Sequence, residues 1–220
     1  MIKAIIFDIG NTLVYYTSSQ SAKDTVDAIG CLFGVAPKSK GEVMHWMRFE
    51  LNKTSRNFKE FAEHYLKKNG IKATKKNVAG ICAIMEKRGK SKSYKETIPT
   101  LKELSKKFIL AAVSNMDKPG AKRLRKMPFI KEFRFVIFSC DVFAVKPERE
   151  IYISTAKKLG LKPSECIWVG DTLDADYYGP IKYGFNAVLL NREKKKMPKN
   201  VGQIKSLTDL SAFLQKKYGQ

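Results

Sequence analysis

Short, almost uniformly apolar runs recur along the chain at residues 2–7 (IKAIIF), 108–113 (FILAAV), 135–138 (FVIF), 166–169 (CIWV) and 187–190 (AVLL). Runs this short without polar alternation predict strands buried on both faces. Between them, residues 99–107, 148–159, 177–183 and 207–216 bring apolar side chains back to one side at helical spacing. In the second of these, Ile151, Ile153, Ala156 and Leu159 fall on or near one face. Strands alternating with helices predict an α/β fold, with a parallel sheet core and helices on both faces.

The alternation has one long gap. From Tyr16 to Lys95 the pattern is helical throughout, with helices expected over 22–33, 41–52, 58–68 and 77–87 and no strand. A helical insertion after the first strand predicts a second domain, residues 16–95, set into a core of residues 1–15 and 96–220. The polar stretch 89–95 (GKSKSYK) is its expected exit.

Composition adds one anomaly. Of 220 residues, 42 are Lys or Arg and 21 are Asp or Glu, a formal net charge of +21. The insertion holds 17 basic and 7 acidic residues, so about a third of the chain carries nearly half the excess. Such a balance favours an anionic partner. The densest cluster, Lys122-Arg123-Leu124-Arg125-Lys126, has Phe129, Phe133 and Phe135 nearby, but those rings suit core and strand positions better. No nucleic-acid-binding motif is present, so no specific nucleic-acid partner is expected. Lys194-Lys195-Lys196 reads as a solvated loop. No apolar run approaches the ~20 residues of a membrane span, and the first strand turns acidic at Asp8, too early for a secretory leader. Cys31, Cys82, Cys140 and Cys166 form no C-x-x-C pair, which fits reduced, mostly buried thiols in a cytoplasmic protein.

In a parallel sheet, reactive groups gather where strands end at their carboxyl edge. The first strand ends in Asp8-Ile9-Gly10-Asn11-Thr12 and the second in Ser114-Asn115. The third is followed by Lys146-Pro147, and the fourth ends in Gly170-Asp171, with Asp174 and Asp176 beyond. Two carboxylates, a hydroxyl and a lysine can therefore converge on one crevice. Each has an ordinary alternative: Ser114 or Asn115 as a helix cap, Lys146 as a loop lysine, and Asp176 as a helix N-terminal carboxylate.

Order and spacing together resemble the haloacid dehalogenase-like hydrolase superfamily. Its first motif, D-x-D-x-T, is matched by Asp8, Asn11 and Thr12 in FDIGNTL, and its second by Ser114. Its Lys-Pro pair is Lys146-Pro147, and its G-D-x-x-x-x-D motif is Gly170, Asp171 and Asp176. The resemblance implies a Rossmann-like core with an inserted helical C1 cap. It implies Asp8 as nucleophile, forming an aspartyl-phosphate, and Mg²⁺ held by Asp8, the Gly10 carbonyl and Asp171. Ser114, Asn115 and Lys146 would bind the phosphoryl group of a small phosphorylated substrate, Ser114 and Lys146 acting in catalysis too. Thr12 and Asp176 would support the site, and Asp174 would lie at the surface.

One position departs from the pattern. Phosphatases of the family carry a second Asp two residues after the nucleophile, and here that residue is Gly10. The chain thus lacks the usual acid–base group, a contribution of ~10²–10⁴ in rate. Three readings follow: a phosphatase that is slow or draws its acid from the cap (His45, His64, Glu42 or Glu50); a metal-free 2-haloacid dehalogenase; or a binding module for phosphorylated or polyanionic partners. The intact Gly170-Asp171 argues against the metal-free enzyme. The expectation is a Mg²⁺-dependent phosphatase, with His45, Trp46, Arg48, Tyr15 and Tyr16 as candidate pocket residues.

Overall fold

In the computed structural model, described over residues 1–17, 22–35, 39, 42, 51–54, 56–87 and 91–219, the chain is organised around one parallel sheet. Its strands are β1 (Ala4–Phe7), β4 (Ile109–Ser114), β5 (Phe135–Phe138), β6 (Cys166–Gly170), β7 (Asn186–Leu190) and β8 (Gln203–Ile204), in the order β5-β4-β1-β6-β7-β8. All five pairings are parallel, as uniformly apolar strands require. β1 lies between β4 and β6, so connections leave it toward opposite halves of the sheet. A crevice therefore opens at its carboxyl end, beside Asp8.

Alternate residues of each strand feed two different cores. Ile5 and Phe7 join Leu101, Leu110, Val169 and Leu214 on one face of the sheet. Ala4 and Ile6 join Ala111, Val113, Trp168, Ile151 and Tyr152 on the other. Trp168 and Tyr152 are fully buried and meet edge to face, with ring centroids 5.0 Å apart. The expected helices appear as Thr97–Leu104, Arg149–Leu159 and Leu210–Tyr218. The expected helix near 177–183 instead winds as a π-helical turn, Leu173–Tyr178, followed by a short helix, Gly179–Lys182.

Within 16–95 the helices Ala22–Leu32, Phe58–Lys68 and Lys75–Glu86 share a separate apolar cluster, which includes Ile29, Leu51, Phe61, Leu66 and Ile81. Asn57 caps the second of these helices with a reciprocal Glu60 contact, and Thr74 caps the third. The expected helix over 41–52 falls largely outside the described residues.

Contrary to expectation, strand structure does occur in this region. β2 (Val14–Tyr16) pairs antiparallel with β3 (Ser91–Ser93), so one short ribbon carries the chain into and out of the helical insertion. The polar Ser91-Lys92-Ser93 segment gave no hydrophobic sign of it. The edge strand β8 was likewise unforeseen. Cys140 and Cys166 are buried free thiols as expected, but Cys31 is exposed and Cys82 only half-buried. Among the described residues, no helix is long and apolar enough to cross a membrane.

Trp168→Ala is expected to cost about 3–5 kcal/mol by emptying the second core. Urea denaturation should show a lower midpoint with an unchanged slope.

Candidate active site

Three neighbouring strand ends and one loop meet at a cavity of about 230 Å³, whose lining includes Asp8, Gly10, Ser114, Lys146, Asp171 and Asp176. Asp8 follows β1, with its backbone N–H donated to the Val169 carbonyl at 2.8 Å. Ser114 ends β4 and is 3% exposed. Asp171 follows β6 directly. Lys146 arrives from the loop after the Ser139–Val142 helix. Its ammonium donates to Asp8 Oδ1 at 2.7 Å and to Asp176 Oδ1 at 2.6 Å, and it stands 5.9 Å from the Trp168 ring centroid.

Each member of this buried pair of ion contacts is held a second time. Asp176 Oδ2 accepts the Thr172 backbone N–H at 3.0 Å. The Asn115 amide donates to the Lys146 carbonyl at 2.9 Å, and its oxygen accepts the Lys146 N–H at 2.8 Å. Gly170 makes room for Asp176: a Cβ there would lie 2.4 Å from Asp176 Cγ. The π-helical turn brings Asp176 inward while Asp174 stays exposed, as expected of it.

The electrostatics are unbalanced. Asp8, Asp171 and Asp176 present carboxylate oxygens within 4.8 Å of one another, and Lys146 is the cation bonded among them. Burial, only partly opposed by Lys146, raises the Asp8 pKa to about 7, with Asp176 and Asp171 adding to the rise. Burial and Asp176 raise Asp171 to about 6. Burial works against the Lys146 charge, but Asp176 and Asp8 outweigh it and hold its pKa above the usual lysine range.

Such a donor set fits a hard divalent cation, which would relieve the repulsion that lifts both carboxyl groups. Both Asp176 oxygens are engaged by Lys146 and Thr172, so Asp8 and Asp171 are the side chains better placed to hold such an ion. The Gly10 backbone lines the same cavity.

Asp176 does lie in the first turn of the helix Leu173–Tyr178, but the ordinary alternatives for the serine and the lysine do not hold. Asp117, not Ser114 or Asn115, caps the Lys118–Leu124 helix. Lys146 is 2% exposed and therefore not a solvated loop lysine. Asn115 lines the cavity, and its amide holds the Lys146 backbone through its oxygen and one N–H. Thr12 is fully buried and its hydroxyl has no hydrogen-bond partner among the described residues.

The cap candidates divide. Tyr16 lines the cavity, whereas Tyr15 packs on Tyr94 at 5.2 Å between centroids. His64 and Glu42 are not among the lining residues; Glu42 exchanges hydrogen bonds with Ser39. His45, Trp46, Arg48 and Glu50 lie outside the described residues.

Two contributors were missed from the sequence. Asn52 lines the cavity, and its carbonyl accepts from Ser139 Oγ at 2.5 Å, while Lys53 pairs with Glu148 at 2.8 Å. Arg192 donates to the Thr12 carbonyl at 2.8 Å and to Glu96 at 2.6 Å, and its guanidinium stacks 3.7 Å from the Tyr94 ring centroid. Neither left a signal, because each depends on a contact between distant segments.

Comparison with known proteins agrees with this geometry. A family model described as haloacid dehalogenase-like hydrolase matches residues 2–182. The glyceraldehyde 3-phosphate phosphatase of Methanopyrus kandleri is 30% identical over 202 residues, covering 88% of this chain and 86% of that protein. Among solved structures, a HAD phosphatase from Thermococcus onnurineus superposes with a TM-score of 0.62 at 26% identity, covering 97% of this chain and 98% of the other. A 2-haloacid dehalogenase from Pseudomonas syringae shares the fold with a TM-score of 0.70 at 20% identity, covering 98% and 99%. Four motifs at consecutive strand ends, brought together in one crevice, and a family match across most of its length make this chain a member of the haloacid dehalogenase-like hydrolases.

Proposed function

We propose that the protein is a Mg²⁺-dependent phosphatase that hydrolyses a small phosphomonoester through an aspartyl-phosphate on Asp8. The observation that carries this reading is the carboxylate pair Asp8–Asp171, facing one cavity with a single lysine among three acids. A metal-free dehalogenase has no use for Asp171, and the clustered carboxylates would repel an anionic substrate unless a cation sat between them. The Methanopyrus relative is named for a small phosphorylated sugar derivative, which fits a cavity of this size.

In this mechanism Asp8, aligned by Lys146, attacks phosphorus opposite the leaving oxygen. Lys146 and the Ser114 hydroxyl stabilise charge on the phosphoryl oxygens where it grows. Asp8, the Gly10 carbonyl and Asp171 would hold Mg²⁺, which when bound neutralises phosphoryl charge and keeps the dianion beside the nucleophile. Asn115 and Asp176 act through Lys146, fixing where its charge points. Residues 16–95 form the cap, and the contacts of Asn52 and Lys53 with Ser139 and Glu148 tether it above the Lys146 loop. Closure of that cap excludes water and selects the substrate. Gly10 supplies no acid, so a proton for the leaving oxygen has to come from another segment, and without one turnover would be slow.

A panel of small phosphomonoesters, assayed with Mg²⁺ and with EDTA, tests the reading. Activity should require Mg²⁺ and fall by about 10³-fold or more in Asp8→Asn. Halide release from a 2-haloacid in EDTA would instead favour the dehalogenase. At 100 times its dissociation constant, Mg²⁺ should add about 2.7 kcal/mol of stability, seen by thermal melting as a rise of about 5 °C or more. Asp171→Asn should abolish that rise. Gly170→Ala should push Asp176 off Lys146, costing about 1–3 kcal/mol of stability and, through the misplaced lysine, about 10²-fold in kcat.

A further inference from the structure

Glycine at position 10 leaves open what faces the leaving oxygen. A Cβ built on Gly10 would meet Tyr16 Oη at 3.0 Å, and its next neighbours are Tyr16 Cε2 at 3.6 Å and Tyr16 Cζ at 3.7 Å. The three heavy atoms closest to that Cβ position thus all belong to the tip of one phenol. The hydroxyl oxygen therefore borders the space that an aspartate side chain on residue 10 would occupy. Tyr16 also lines the cavity that holds Asp8, Ser114 and Lys146.

Resting on the phosphatase reading above, we propose that the Tyr16 hydroxyl is the catalytic proton donor to the leaving-group oxygen, delivered from the β2–β3 ribbon into the space that a side chain on residue 10 would fill.

The ribbon gives Tyr16 a defined direction. Val14 N–H bonds to the Ile9 carbonyl at 3.0 Å, and Val14 forms an isolated bridge with Gly10, so β2 runs directly over the residues that follow the nucleophile. Alternation along β2 puts Tyr16 on the side of Val14, while Tyr15 turns the other way to meet Tyr94. Across the ribbon Tyr16 stands opposite Ser91. Among the described residues the other candidate acids do not compete for the role: Asp176 is committed to Lys146 and Thr172, and neither His64 nor Glu42 lines the cavity.

The step balances. An Asp8 oxygen forms a bond to phosphorus as the bond from phosphorus to the leaving oxygen breaks. That oxygen takes the phenolic proton and departs as an alcohol, leaving a tyrosinate. Water then attacks phosphorus and gives its proton to the tyrosinate, the bond from phosphorus to Asp8 breaks, and inorganic phosphate and both side chains are restored. Tyrosine is an established general acid–base residue. The substrates that need it are alkyl phosphomonoesters, whose leaving oxygen is too basic to depart unprotonated.

The test compares the wild type with Tyr16→Phe on two substrates, glycerol phosphate and p-nitrophenyl phosphate; the second releases a stable phenolate without protonation. Tyr16→Phe keeps the ring over Gly10 and removes only the hydroxyl. In a single turnover, loss of the donor should slow release of glycerol from glycerol phosphate by about 10²-fold or more and leave release of p-nitrophenolate nearly unchanged, because both releases precede the attack of water. Gly10→Asp placed in a Tyr16→Ala background, where the space is empty, should recover turnover of glycerol phosphate. Equal losses on both substrates, or none on glycerol phosphate, would overturn the assignment of Tyr16 while leaving the phosphatase standing. Absence of any Asp8-dependent hydrolysis in the wild type would overturn the phosphatase reading itself, and this one with it. Thermal melting of each variant separates a chemical loss from a failure to fold.

Discussion

Lys146 occupies a position that little in this molecule can afford to disturb. Its ammonium is almost completely buried and bonded to Asp8 on one side and Asp176 on the other. A buried charge is stable only when paired and hydrogen-bonded, and breaking such a pair by removing one partner typically costs about 3–5 kcal/mol. The surrounding chain reads as a set of restraints on that one group. Asn115 grips its backbone from the end of β4, Thr172 orients Asp176 from the loop after β6, and Gly170 gives up a side chain so that Asp176 fits. Three strands that are remote in sequence are thus coupled at one atom, which turns a row of strand ends into a site.

The same group explains why the site is electrically incomplete. One lysine among three carboxylates leaves excess negative charge in a buried place, within a protein whose overall charge is +21. The two facts act at different ranges. The surface excess attracts anions toward the protein, whereas the local cluster would turn a phosphate away from Asp8 at contact distance. A divalent cation would reconcile them, since it would convert the carboxylates from a barrier into a mount. Only a small part of the positive charge enters this logic. Much of the rest is solvated lysine, and even the dense cluster at 122–126 is partly spent locally, with Arg125 paired to Asp141 and lying over the Phe138 ring.

What could be read from the sequence follows a physical division. Strands buried on both faces must be apolar throughout, so β1, β4, β5, β6 and β7 were visible as runs. The residues at their carboxyl ends followed from the topology of parallel sheets. β3 was invisible because a two-stranded ribbon at the surface needs no apolar face, and Ser91-Lys92-Ser93 has none. The π-helical turn was also hidden, since winding is decided by the demand that Asp176 reach Lys146 rather than by local propensity. Asn115 illustrates a finer limit. Its place in the crevice was legible, but its engagement with the Lys146 backbone depends on a loop arriving from 31 residues away.

Gly10 and Tyr16 show the limit most clearly. A missing side chain is easily seen in a sequence, but the group that enters its space belongs to another segment and is set by how that segment returns. Here the return is the β2 ribbon, which is also the passage from the sheet into the helices of the insertion. A donor carried on a core strand would keep its distance from Asp8 whatever the helical region did. A donor carried on the ribbon would not, because β2 and β3 are paired in register and any movement of the insertion would carry them together. With Tyr16 as the donor, proton delivery and cap position would become one variable: the phenol would reach the leaving oxygen with the insertion seated on Ser139 and Glu148, and would withdraw if it lifted. A carboxylate at position 10 would be poised in both states, whereas an acid on the ribbon would be tied to closure and would limit the chemistry to the interval in which water is excluded.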